Sequence, residues 1–119
     1  MGNIYESDRL FKVWQYTVSH RRLLLRSSRE EYGTRIDILF AGVERLCVQR
    51  VYEGLTIRRG TGEEARRIGE ALDIEVDVES LYLLGDGISS FVISGAPQWR
   101  EDDGYNDDPS RLGQLPGTP

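Results

Sequence analysis

The chain has 119 residues, 39% hydrophobic and 29% charged, with a formal net charge of −5, which is the profile of one soluble domain able to bury a core without staples. No apolar run approaches the ~20 residues that span a bilayer, which excludes a transmembrane helix and leaves no membrane partner expected. A lone cysteine, Cys47, can form no internal disulfide, and "MGNIYESDRLFKVW" lacks a basic-then-apolar export pattern, so a cytoplasmic, reducing setting is the expectation.

The net charge hides an asymmetry. Residues 1–60 carry eleven basic and seven acidic side chains, net +4; residues 61–119 carry four and thirteen, net −9. Fourteen of the fifteen basic residues are arginine and only Lys12 is lysine, a bias that reads as codon usage in a GC-rich genome rather than as a binding signal. Runs such as "LLLRS", "TRIDILFAGVERL" and "FVISGAPQWRED" have a bacterial character and carry no family motif.

Residues 10–28 read as a hairpin. With Val18 facing Leu23, Tyr16 meets Leu25 and Trp14 meets Ser27, so that Trp14, Tyr16, Val18, Leu23 and Leu25 share a buried face. The other face holds Gln15, Thr17, Ser19, Arg22 and Arg26, with Leu24 out of phase, and His20 and Arg21 form the turn. The polar stretch "SSREEYG" links to a second hairpin, in which Ile36, Ile38 and Phe40 face Leu46 and Val48 across Gly42-Val43-Glu44. "GLTIRRG" adds a short strand.

The period then changes. In "TGEEARRIGEAL" Thr61 stands three residues before Glu64, a capping box, and Ala65, Ile68 and Leu72 make a narrow apolar stripe. The reading is a helix of about three turns, weakened by Gly69. Ile74, Val76 and Val78 alternate with Glu75, Asp77 and Glu79 in an edge strand or extended link. Asp86-Gly87 is a two-residue turn signal that sets Tyr82 opposite Phe91. From Ala96 onward Asp, Gly and Pro dominate without periodicity. The expected fold is therefore α+β, mainly antiparallel β: a curled sheet or barrel-like roll of about six to eight strands with one helix near residues 62–72. Residues 1–95 form the globular domain and 96–119 an acidic tail that contributes little core.

The chemistry-bearing residues are few. His20 as a general base needs a nucleophile and an orienting acid; Ser19 adjoins it, but neighbours on a strand point apart, and an exposed turn residue is the expectation. Cys47 reads as a small buried hydrophobe. One histidine and one cysteine furnish no zinc site, and Glu101, Asp102, Asp103, Asp107 and Asp108 lack the calcium-loop spacing. No metal and no cofactor is expected. Gly60 and Gly62 precede a helix N-terminus that Glu63 and Glu64 already neutralise. The strand arginines alternate out of phase with Trp14, Tyr16 and Phe40, which argues against a nucleic-acid platform.

The functional expectation is a non-catalytic protein-binding module, an adaptor, regulator or immunity-type inhibitor, acting through an acidic surface on a basic protein partner. Its partner-binding candidates are Trp99, Glu101, Asp102, Asp103, Asp107 and Asp108. The alternative is a small-ligand carrier with an apolar pocket in the curled sheet lined by Trp14, Tyr16 and Phe40. A third reading is a carboxylate-only enzyme using Glu75 and Asp77.

Overall fold

Long alternating runs separated by polar turns favour strands, and the computed structural model, which describes residues 2–112, contains eight of them. They are β1 (Tyr5–Thr17), β2 (Arg22–Ser27), β3 (Arg35–Phe40), β4 (Arg45–Cys47), β5 (Val51–Arg59), β6 (Leu81–Leu84), β7 (Phe91–Ile93) and β8 (Gln98–Asp102). The helices are α1 (Arg29–Tyr32) and α2 (Gly62–Leu72). All pairings are antiparallel, in one sheet of order β4-β7-β6-β5-β1-β2-β3-β8. This is the mainly antiparallel α+β class that the alternation predicts, with the main helix at the expected residues. The sheet curls but does not close into a barrel.

The curl comes from β1, which is long and bent. Its first half pairs with β5 and its second half with β2, with irregular register between Ser7 and Leu10 and again between Val13 and Gln15. Strands distant in the sheet thereby touch across its concave side. The Phe40 and Tyr82 rings lie 6.4 Å apart, and Tyr5 meets Trp99 at 5.1 Å. Arg9 clasps this rim, donating to the Thr34 carbonyl at 3.1 Å and to its hydroxyl at 2.8 Å. The concave side holds the larger core, built on Phe11, Leu23, Leu25, Ile38, Phe40 and Ile57. A smaller core lies on the opposite face, where Ala65 and Ile68 of α2 pack on Leu81, Leu83, Phe91 and Ile93.

Local signals hold around α2. The Thr61 hydroxyl accepts from the Glu64 N–H at 3.1 Å, and the Glu64 carboxylate accepts from the Thr61 N–H at 3.0 Å. Gly69, read as a weakness, has a packing reason: a Cβ there would stand 2.8 Å from the Ile74 carbonyl oxygen.

Several expectations are corrected. The first hairpin pairs Tyr16 with Leu23 rather than with Leu25, and a bulge at Trp14 absorbs the extra residue. The second hairpin does not form: β3 lies between β2 and β8, and β4 pairs with β7. "SSREEYG" contains α1, capped by the Ser28 hydroxyl and closed by Gly33 at φ +81. Residues 74–77 are extended but unpaired and run into a short 3-10 turn, Val78–Ser80. The β6–β7 register sets Tyr82 against Val92, one residue from expectation, because the loop between them is longer than a two-residue turn. Cys47 is exposed on the edge strand β4, where its thiol donates to the Ser89 carbonyl at 3.4 Å. The largest departure is at the C-terminus. Gln98–Asp102 is a strand on β3, and residues 103–112 lie back over the sheet, whereas residues 113–119 of the expected tail lie outside the described residues.

Candidate functional site

The outer face of β2 and β3 presents Arg22, Leu24 and Arg26 beside Arg35, Asp37 and Leu39, since alternate residues share a side and the pairing sets Leu24 against Leu39 and Arg26 against Asp37. An outer face left to solvent would expose this set. Instead every residue of β3 is buried, because the segment after β8 covers it. Arg26 grips Asp37 through two hydrogen bonds, Nε–Oδ1 at 2.7 Å and Nη2–Oδ2 at 3.1 Å. Its Nη1 donates to the Asn106 carbonyl. Arg35, fully buried, grips Asp102 in the same fork geometry at 2.9 and 3.1 Å, and its Nη1 donates to the carbonyls of Tyr105 and Asp108, each at 2.9 Å. Bidentate arginine–carboxylate pairs are the strong, geometrically specific kind. Each guanidinium here is completed by backbone oxygens of the same segment, so the two pairs act as a clasp on the strap 103–110.

The clasp dictates other residues. Gly104 is buried where a Cβ would stand 2.6 Å from Cζ of Arg35. The Asn106 side-chain oxygen accepts from the Ser28 hydroxyl at 2.9 Å and from the Arg29 N–H at 3.1 Å, joining the strap to the start of α1. Arg29 lies 4.6 Å over the Tyr105 ring. For Asp102, burial pushes the carboxyl upward. The Arg35 hydrogen bonds, the Gly104 N–H and the charges of Arg35 and Arg111 outweigh that, and the group ends below its ordinary range.

Among the described residues, a half-open cleft of about 490 Å³ lies beside the strap. Its floor is Leu24 and Leu39. Trp14, Gln15 and Thr17 of β1, with His20 and Arg22, form one side; Asp107, Pro109 and Ser110 of the strap form the other. The bulge places Trp14 here. Val13 pairs with Leu25 and Gln15 with Leu24, so the additional residue, Trp14, is turned to the outer face. Trp14 was expected inside the sheet; it is 42% exposed, with the Arg26 guanidinium 5.1 Å from its ring centroid. His20 stands exposed in the turn, and Arg21, not His20, takes the positive φ there. The Ser19 hydroxyl and His20 Nδ1 are 3.1 Å apart, because turn geometry lets these neighbours meet where a strand would not.

The expected ligand trio does not share a pocket. Phe40 is fully buried in the concave core, Trp14 is on the outer face, and Tyr16 is on the inner side beside Leu23. The acidic run is likewise divided. Asp102 is held by Arg35; Glu101 accepts from the Thr34 hydroxyl at 2.6 Å and pairs with Arg9 at 3.4 Å; the Asp108 carboxylate takes the Tyr105 N–H. Asp103 and Asp107 remain exposed, as does part of Trp99. Among the described residues no three His, Cys, Asp or Glu side chains converge as a metal site, and no helix is long and apolar enough to cross a membrane.

A second surface follows α2. The chain leaves the helix through Asp73 at φ +55 and runs extended to the 3-10 turn. Ile74 and Val76 tuck against the smaller core, and the alternate residues Glu75, Asp77 and Glu79 point outward. Leu72 and Val78 are exposed, at 48% and 37%. Asp73, Glu75, Asp77 and Glu79 make no ion pair among the described residues, whereas Glu63 and Glu70 share Arg66 and Glu64 takes Arg58. Glu44 and α2 close this ledge into an open groove.

Sequence reasoning missed Arg26, Arg35, Asp37 and Gly104, and its one signal for them was Leu24, an apolar residue on a face otherwise read as polar. Neither protein-family models, nor curated proteins, nor solved structures give a significant match to this chain.

Proposed function

We propose that this chain is a non-catalytic protein-binding module, of the adaptor, regulator or inhibitor kind, which takes a basic partner on the ledge from Leu72 to Glu79. The observation that carries the reading is the contrast in charge pairing. Of the C-terminal carboxylates expected to meet a partner, Glu101 and Asp102 are spent on the chain's own arginines and Asp108 on a backbone N–H, while the four of the ledge form no ion pair among the described residues and flank exposed Leu72 and Val78. A polar rim around apolar anchors is the composition of a recognition surface, and a concentration of one charge sign speeds association with the opposite sign. The carrier alternative has little room, since the concave side of the sheet is filled by core side chains.

The test uses a fluorescein-labelled peptide of alternating lysine and leucine, followed by anisotropy at low and high salt. Glu75→Lys with Asp77→Lys should slow association about tenfold at low salt, with the difference shrinking at high salt. Asp103→Lys with Asp107→Lys should change it far less. Equal loss from both pairs would remove the ledge from the reading, because it would report net charge alone.

A further inference from the structure

The cleft between the hairpin and the strap is separate from the ledge and carries a different chemistry. We infer that it is a binding site for a neutral carbohydrate, seating one pyranose ring of a saccharide on Trp14. A bulge spends a ladder position to turn a large aromatic side chain outward, a device that re-aims a residue toward a ligand. The Arg26 guanidinium lies over one face of the indole, 5.1 Å from its centroid, and Arg26 is itself held by Asp37 and the Asn106 carbonyl. The platform is therefore backed on one face by a held group.

The lining selects the ligand class. A pyranose has an apolar face of C–H groups and a rim of hydroxyls. The C–H groups meet the electron-rich face of an aromatic ring favourably. The hydroxyls each need a donor and an acceptor, and the cleft surrounds Trp14 with side chains that supply both: Gln15, Thr17, Ser19 and Ser110. Charge argues in the same direction. Arg26 is neutralised by Asp37, and the rest of the lining carries both signs, with Arg22 on one wall and Asp107 and Asp108 on the other. A nucleotide or phosphorylated ligand would stack on Trp14 as well, but its phosphates would face Asp107. A protein partner does not fit a hollow of about 490 Å³, whereas that volume is ordinary for a small ligand.

The experiment titrates the full chain with the methyl pyranosides of glucose, galactose and mannose and with their disaccharides. It follows the indole N–H resonance of Trp14 and, in parallel, binding heat. The expected result is selective movement of the Trp14 indole rather than that of Trp99, with a dissociation constant on the order of 1 mM or tighter for at least one sugar. Trp14→Ala should weaken that binding about tenfold or more, as loss of an aromatic stacking platform does. Trp14→Phe should retain most of it, and Gln15→Ala should weaken it with the fold intact, which keeps the test sound if Trp14→Ala misfolds. The inference is overturned if no neutral sugar moves the Trp14 resonance, if binding survives both Trp14→Ala and Gln15→Ala, or if inorganic phosphate or a nucleotide binds the cleft more tightly than every sugar. Because the ledge variants leave the cleft untouched, failure here and failure of the peptide test are read separately.

Discussion

At the scale of single residues, the strap is held by what is absent as much as by what is present. Gly104 lets the backbone pass against Arg35, whose guanidinium is pinned by Asp102 and by two carbonyls and cannot retreat. Gly104→Ala is therefore expected to cost about 1–3 kcal/mol, the usual penalty for forcing a methyl group into packed structure. Gly87→Ala, where an added Cβ meets nothing within 4 Å, should stay within about 0.5 kcal/mol of wild type. Urea unfolding of the two variants checks both, and equal midpoints would show that the strap yields locally. None of this was legible beforehand. Composition marks "EDDGYNDD" as acidic and irregular, but a sequence does not say that a carbonyl oxygen there completes a guanidinium seventy residues away. Leu24 was the visible clue: an apolar side chain on an outward position implies a cover.

At the scale of elements, what could be read was what neighbours in sequence decide. The helix α2, its capping box and the Ala65 and Ile68 part of its apolar stripe depend on residues three and four apart and stand where expected, whereas Leu72, expected in the same stripe, is exposed. The pairing of β3 with β8 and of β4 with β7 depends on the path of the whole chain, so adjacency in sequence misassigned it. The cap of α2 carries a pH prediction. Glu64 receives hydrogen bonds from Arg58 at 2.8 and 2.9 Å. Led by that contact and opposed by burial, with the Thr61 N–H adding to it, its carboxyl sits at about 2 instead of the ordinary 4.5. A depressed folded value means that the contribution is complete above about 4.5 and is lost as pH falls toward 2. Glu64→Gln should accordingly destabilise the fold at neutral pH and shrink the loss of stability between those pH values. Parallel acid titrations of the unfolding free energy test this, and identical slopes for the two proteins would show that the Arg58–Glu64 pair contributes nothing.

At the scale of the whole molecule, composition suggested a domain ending near Ala96 followed by an acidic tail, whereas Gln98–Asp102 is the edge strand β8 and residues 103–112 lie over the sheet. The two pictures differ in how they respond to salt. A tail lying on an exposed basic face is screened at ~0.15 M, where the Debye length is about 8 Å. The strap instead meets Arg26 and Arg35 at side-chain exposures of 1% each, out of reach of counterions. Truncation after Arg100 would remove Asp102 and the carbonyls of Tyr105, Asn106 and Asp108, and would uncover Leu24 and Leu39, which are 5% and 6% exposed. Removing one side of a buried pair costs about 3–5 kcal/mol when the other charge stays buried. Here the freed guanidinium regains water, so the low end of that range is expected, still a large share of the roughly 5–15 kcal/mol that holds a domain together. The truncated chain should melt well below the full one, and the gap should be nearly the same at low and high salt. A gap that closes as salt rises would return the segment to a surface electrostatic role. No gap at either salt would make it decoration and place the domain boundary back at residue 96.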